Sequence, residues 1–199
     1  MCGIAGFIAT RPGRGMAAEV LCAIRDRMAP RGPDGAGLWL SPEGQIGLAH
    51  RRLSIIAVGD EGAQPMHRAA DGLTLCYNGE IYNYRELGEE LKAAGHSLAT
   101  HSDSEVILAL YAAEGVAGFA RLRGMFAFAI WDERRRQLVL ARDPYGIKPL
   151  YLHRGAGRIS IASQVRALTA DPELPREADP AALAGFAIWG SVPEPFTIF

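Results

Sequence analysis

The chain opens Met1-Cys2-Gly3-Ile4-Ala5-Gly6-Phe7, with a thiol one residue behind the initiator and at the head of an apolar run. Chain ends fray, so an end is a poor place for a nucleophile unless the chemistry uses the end itself. Removal of Met1 would leave the α-amine on the residue that carries the thiol. An α-amine has a pKa of roughly 8 against ~10.4 for a lysine, so a neutral fraction is present near pH 7. One residue then supplies both nucleophile and base. The competing reading of Cys2 is a small apolar residue buried in a strand. A thiolate attacking an amide builds an oxyanion, which needs fixed donors. Asn78-Gly79 offers a side-chain amide N–H and a backbone N–H that can be approached closely. The competing reading of that pair is an ordinary hairpin turn.

These residues need elements to hold them. Residues 3–9 are short, apolar and partly β-branched, which predicts a strand buried on both faces. Residues 16–29 carry apolar side chains at helical spacing. Arg31-Gly32-Pro33-Asp34-Gly35-Ala36-Gly37 is rich in breakers and predicts a loop. Residues 37–41 and 46–56 flank Pro42-Glu43-Gly44-Gln45 as a hairpin. Residues 72–81 read as a strand running into a turn at Asn78-Gly79. A helix follows over 83–95, with Asn83 as N-cap and Gly95 as its stop. Another spans 101–115, where Ser102 and Glu105 have capping-box spacing.

Residues 124–143 form two strands joined by a charged, solvated tip at 133–137. Ala127, Ala129 and Trp131 share one face of the first strand, and Phe126, Phe128 and Ile130 share the other, so both faces are covered. Two further strands lie at 149–155 and 158–163, and short helices at 163–170 and 179–190. Strands in runs with helices in separate blocks favour antiparallel pairing. Burial on both faces then calls for sheet packed on sheet, with helices outside.

Composition excludes several classes. Lys plus Arg is 21 and Asp plus Glu is 22, a net charge of −1, so nothing points to nucleic acid. The apolar runs are too short to span a bilayer, and no leader pattern opens the chain. Three cysteines without paired spacing argue against a disulfide framework and for the reducing cytoplasm. The five histidines lack ligand spacing, so no metal is expected. Cys22, on a helix face, and Cys76 read as core, and His50 as a structural hydrogen-bonding residue.

The strings CGIAGF, RGPDGAG, HRRLSI, NGEIYNY, SDSEVIL, GMFAFAIWD and ARDPYGIKPLY occur in this order. Together they resemble the class II (N-terminal nucleophile) glutamine amidotransferase domain of asparagine synthetases, over nearly the whole chain. The resemblance implies an α+β, four-layer αββα sandwich of two mainly antiparallel sheets, hydrolysing glutamine to glutamate and ammonia. It implies Cys2 as nucleophile and Asn78 and Gly79 as the oxyanion hole. It implies Arg52 as the grip on the substrate α-carboxylate, within a lining segment Arg52, Leu53, Ser54, Ile55 and Ile56. Asp103 and Glu80 then face the substrate ammonium. Arg51 is the neighbour with which Arg52 is easily confused; strand alternation turns one inward and one outward. Arg31 and Asp34 either brace the site loop or belong to a plain turn, and Arg142, Asp143 and Lys148 match the family without an assigned role. The domain expected is 2–190, with 191–199 leading to a synthetase domain that uses ATP and Mg2+ and amidates aspartate. Neither cofactor is expected within these residues. Glutamine, that synthetase domain and a second copy in a homodimer are the partners implied.

Overall fold

Among the described residues, nine strands and five α-helices fold as two antiparallel sheets packed face to face. The structure is a computed structural model that describes residues 1–54, 59–155 and 157–199. Chain order begins with β1 (Gly3–Ala9), α1 (Ala18–Asp26), β2 (Gly35–Leu40), β3 (Ile46–Arg52), β4 (Met66–Arg68) and β5 (Leu73–Ile81). The helices α2 (Tyr84–Ala93) and α3 (Asp103–Glu114) precede β6 (Gly124–Asp132), β7 (Gln137–Arg142), β8 (Tyr151–Gly155) and β9 (Arg158–Ala162). Two helices, α4 (Val165–Leu168) and α5 (Pro180–Trp189), follow. One sheet has the order β2-β3-β1-β9-β8 and the other β4-β5-β6-β7. Every pairing between these strands is antiparallel.

Side chains alternate along a strand, and that alternation sorts the core into layers. Ile4, Ile46, Leu48 and Ile161 of the first sheet meet Cys76, Ala129 and Trp131 of the second across the inter-sheet gap. The opposite parity of the first sheet, with Ala5, Phe7 and Ala49, packs on Leu21 and Ile24 of α1 and on Leu168 of α4. The opposite parity of the second sheet, with Leu75, Tyr77, Phe126 and Phe128, packs on Ile107, Leu108 and Tyr111 of α3. The helix α2 closes the outside through Leu87 and Leu91 against Val106 and Leu110. The result is the four-layer αββα sandwich expected from the sequence. Among the described residues, no helix is long and apolar enough to cross a membrane.

Several local expectations are corrected. Asn78 and Gly79 are not a turn; they lie inside β5, opposite Ala127 and Phe126 of β6. Local Asn-Gly preference is weaker than nine residues of pairing to a buried partner. Gly79 is required here by crowding: a Cβ would stand 2.3 Å from the Met125 carbonyl oxygen and 2.8 Å from the Phe126 Cα. The loop predicted over 31–37 gives way at Gly35, where β2 begins against Arg52. The helix expected over 16–29 is shorter, Ala18–Asp26, and Cys22 on it is only half-buried. Asn83 occupies the N-cap position of α2, yet its side chain binds Arg121 and Arg123 of the loop before β6 instead. Half of the predicted capping box forms. Ser102 Oγ accepts from Glu105 N, while the Glu105 carboxylate turns to Ala99, Thr100 N–H and the Thr100 hydroxyl.

His50 is the one fully enclosed imidazole of the gap. It is 1% exposed, and its Nε2 lies 3.0 Å from the Tyr77 carbonyl oxygen, joining β3 to β5. Burial pushes its pKa down to about 4, against the opposing pull of that hydrogen bond and with a smaller push from Arg52. Between the usual value near 6.5 and about 4, the unfolded chain binds a proton that the folded chain refuses. Stability therefore falls as the pH drops through this window, by on the order of 3 kcal/mol when complete. Denaturant unfolding followed from pH 7 to 4 should show this loss. His50→Gln, which keeps a donor and cannot titrate, should flatten it; superimposable curves for the two proteins would refute the assignment. For Gly79→Ala the crowding predicts a loss of about 1–3 kcal/mol, read as a melting point lower by about 2–4 °C per kcal/mol.

Candidate active site

Strand parity carries the chemistry-bearing residues to one end of the inter-sheet gap. Ile4 faces the gap, and Cys2 is two residues before it on the same face of the chain. Leu48 and His50 face it from β3, and Arg52 continues that row. Cys76 faces it from β5, followed by Asn78 and Glu80. Gly3 pairs with Arg51 and Ile4 with His50, so the register brings Cys2 alongside Arg52. A cavity at this end is lined by Cys2, Arg52, Asn78, Gly79, Glu80 and Asp103, and Leu53 also borders it. Met1 stands at the same cavity, joined to Cys2 by a peptide bond.

Among the described residues, Leu53 holds the Cys2 sulfur. Leu53 N–H donates to Sγ at 3.4 Å, and the Cys2 thiol faces Leu53 O at 3.6 Å. The Cys2 carbonyl accepts from Arg31 Nε at 3.0 Å. Arg31 is half-buried; burial lowers its pKa, and the neighbouring Cys2 and Tyr151 pull the other way. The loop carrying Leu53 is fastened by Asp34, whose carboxylate accepts from Ser54 N at 2.8 Å and whose N–H donates to Arg52 O at 2.9 Å. The bracing expected of Arg31 and Asp34 thus has a definite geometry. Cys76, under the same floor, is sealed off; burial pushes its thiol well up, and it is inert beside Cys2.

Asn78 is 1% exposed, and its Nδ2 is a buried donor without a hydrogen-bond partner among the described residues. An unmet buried donor costs roughly 1–3 kcal/mol, so its retention marks a ligand position. A second donor lies beside it. Beyond residue 75 the strand β4 no longer covers β5. Along that bare edge Tyr77 N–H goes to Gln64 Oε1 at 2.6 Å and Ile81 N–H to Asp103 Oδ2 at 3.2 Å. Gly79 lies between them on the same edge, and no side chain among the described residues caps its N–H.

The two neighbouring arginines part as alternation requires. Arg51 turns outward, with Nε on Gly32 O and a guanidinium nitrogen 3.6 Å from Asp26 of α1. Arg52 borders the cavity, with Nη1 donating to Gly59 O at 3.0 Å. Asp103 begins α3 and is 5% exposed. Burial raises its pKa, while hydrogen bonds from the Tyr77 hydroxyl, at 2.7 Å, and from backbone N–H groups hold it down. Tyr77 is pushed well above its usual value by burial and by that carboxylate.

Cys2, Arg52, Leu53, Asn78, Gly79, Glu80 and Asp103 are therefore brought together. Ser54 is near but does not border the cavity, and Ile55 and Ile56 lie outside the described residues. Sequence reasoning missed Tyr77 and Gln64. Tyr77 has the outward parity of a core residue, and only the fold reveals that its hydroxyl orients Asp103. Gln64 sits in a loop with no periodic pattern. Lys148, without a role in the sequence, also lines the cavity.

A family model described as "Glutamine amidotransferase domain" matches residues 1–199. A putative glutamine-hydrolyzing asparagine synthetase of Mycobacterium tuberculosis is 41% identical over 214 residues, covering 100% of this chain and 33% of the relative. Glutamine-hydrolyzing asparagine synthetase 1 of Bacillus subtilis is 39% identical, covering 100% of this chain and 31% of its own length. Amidase chry2 of Gibberella zeae is 40% identical, over 85% of this chain and 26% of its own length. The chain thus spans about a third or less of the curated relatives it matches. Among solved structures, glutamine phosphoribosylpyrophosphate amidotransferase of B. subtilis superposes with a TM-score of 0.71 at 22% identity, covering 90% of this chain and 46% of that one. That likeness concerns the fold. With a family model matched from end to end and the motifs gathered at one cavity, this chain belongs to the glutamine amidotransferase domain family.

Proposed function

We propose that the chain hydrolyses the side-chain amide of glutamine through a Cys2 thioester. The observation that carries this reading is the buried, unpartnered Asn78 Nδ2 at the cavity that holds the Cys2 sulfur. Removal of Met1 frees the Cys2 α-amine, which takes the thiol proton. The thiolate attacks the amide carbon, and the oxygen becomes an oxyanion received by Asn78 Nδ2 and Gly79 N–H. Collapse of this intermediate breaks the C–N bond, the protonated α-amine returns its proton to the leaving nitrogen, and ammonia departs. Water, deprotonated by the same amine, then attacks the thioester and releases glutamate and the free thiol. The substrate is held at its other end: Arg52 takes the α-carboxylate as a bidentate fork, and Asp103 with Glu80 takes the α-ammonium. The Leu53 N–H supports the thiolate.

The relatives named as asparagine synthetases favour a larger protein in which a synthetase portion consumes the ammonia, with aspartate as acceptor. ATP and Mg2+ would be handled there. The amidase named among the relatives supports a second reading, in which the same glutaminase unit serves another acceptor. Measuring which amide is formed by the longer protein distinguishes them.

Four outcomes test the chemistry. A matured chain should take up one chloroketone analogue of glutamine on Cys2, seen by intact mass, while a chain retaining Met1 should release no glutamate. Turnover by the Met1-bearing form would remove the proposed base. Cys2→Ala should abolish glutamate release without unfolding. Asn78→Ala should lower kcat by about 10²–10³-fold with little change in KM, and its melting temperature should not drop, because an unmet donor is deleted along with the function. An Asn78→Ala protein with normal turnover would overturn the oxyanion assignment.

A further inference from the structure

The loop after β7 contains a buried cation that the chemistry above does not use. Lys148 is 6% exposed and lines the cavity of Cys2 and Asn78. Its ammonium has no hydrogen-bond or ion-pair partner among the described residues, yet it is not one of the side-chain nitrogens sealed from solvent. The space that the residue meets is the cavity. A lysine is rarely buried unless its charge is paired, so this one awaits an anion.

The backbone around it is fastened tightly. Asp143 Oδ2 accepts from Lys148 N at 3.0 Å and from Phe126 N at 3.2 Å, and Asp143 Oδ1 accepts from Tyr145 N and Ile147 N. Arg142 Nε donates to Lys148 O at 2.9 Å. Phe126 is the register partner of Gly79. Phe126 turns both its N–H and its C=O to Asp143, so the shared Asp143 oxygen brings Lys148 in from the β7 side of β6, whereas Asp103 takes Ile81 N–H on the far edge of β5. Asp103 and Lys148 thus reach the cavity from opposite edges of the β5–β6 pair, and with Arg52 and Asp103 matching the two charges of the amino-acid end, the Lys148 side is left for the amide end.

The charge count then decides what Lys148 faces. A bound glutamine zwitterion has one carboxylate and one ammonium, both already matched by Arg52 and by Asp103 with Glu80. Beyond the Cys2 thiolate, which the Leu53 N–H supports, negative charge appears at the amide end only as the reaction proceeds, on the oxyanion and finally on the γ-carboxylate of glutamate. We infer that Lys148 is the electrostatic partner of these two anions, stabilising the oxyanion and retaining the glutamate product; this rests on the proposed glutaminase reading.

The test uses the matured 199-residue chain and its Lys148→Met, Lys148→Gln and Lys148→Arg variants. The first two should lower kcat about tenfold while KM for glutamine moves less than about twofold, and inhibition by added glutamate should weaken about five- to tenfold. Lys148→Arg should restore most of both effects, which a role in packing alone would not produce. Where Lys148→Met does not fold, Lys148→Gln supplies the reading, because it retains a polar head on a shorter stem. Normal kcat and normal glutamate inhibition in a folded, uncharged variant would overturn the inference while leaving the glutaminase reading intact. A parent chain that is labelled on Cys2 by the chloroketone and releases no glutamate would remove both.

Discussion

The packing of two sheets face to face, with one parity of each strand locked into the gap between them, is the constraint on which the site depends. Ile4, Leu48 and Cys76 fill that gap. A slip of one residue in β1, β3 or β5 would send their apolar side chains to the opposite face and reverse every functional side chain with them. The same rows that make the core end in Cys2, Arg52 and Asn78. Core and site are consecutive stretches of the same side-chain ladders, so the burial that stabilises the sandwich also fixes the distances in the cavity.

Several buried polar groups around the cavity are answered by their neighbours. His50 is satisfied by the Tyr77 carbonyl, Asp103 by the Tyr77 hydroxyl and the Ile81 N–H, and Asp143 by four backbone N–H groups. Among the described residues, the buried side-chain nitrogens left unmet are Asn78 Nδ2 and Arg31 Nη2, and of these two residues it is Asn78 that lines the cavity. Such preorganised donors cost stability in the free protein and act without rearrangement when charge develops. The sulfur is held in the same spirit, between the N–H and C=O of Leu53, and its loop is tied back by Asp34.

Sequence reading succeeded where local pattern and tertiary demand coincide. The two apolar faces of β6 were legible because alternation is a property of neighbouring residues, and α3 was legible through Ser102 at its N-cap. It failed where a distant partner set the outcome. Asn78-Gly79 has the composition of a turn, but β6 pairs with it and the Met125 carbonyl leaves no room for a side chain at 79. Asn83 and Glu105 were read as capping residues; the first is spent on the loop at 121–123 and the second on residues 99 and 100, both reached only in the folded chain.

What the sequence determined by itself is the chemical inventory and its family. A thiol beside a potential terminus, an Asn-Gly pair, adjacent arginines and an ordered string of motifs are properties of residue type and order. Alternation also implied that only one of Arg51 and Arg52 turns inward. Tertiary structure alone decided that Asn78 Nδ2 is left without a partner, that Leu53 holds the sulfur, that Tyr77 orients Asp103, and that Lys148 reaches the cavity from a loop 70 residues beyond Asn78. Each of these depends on which groups are close in space and which are shut off from water, and neither quantity is defined until the two sheets have packed.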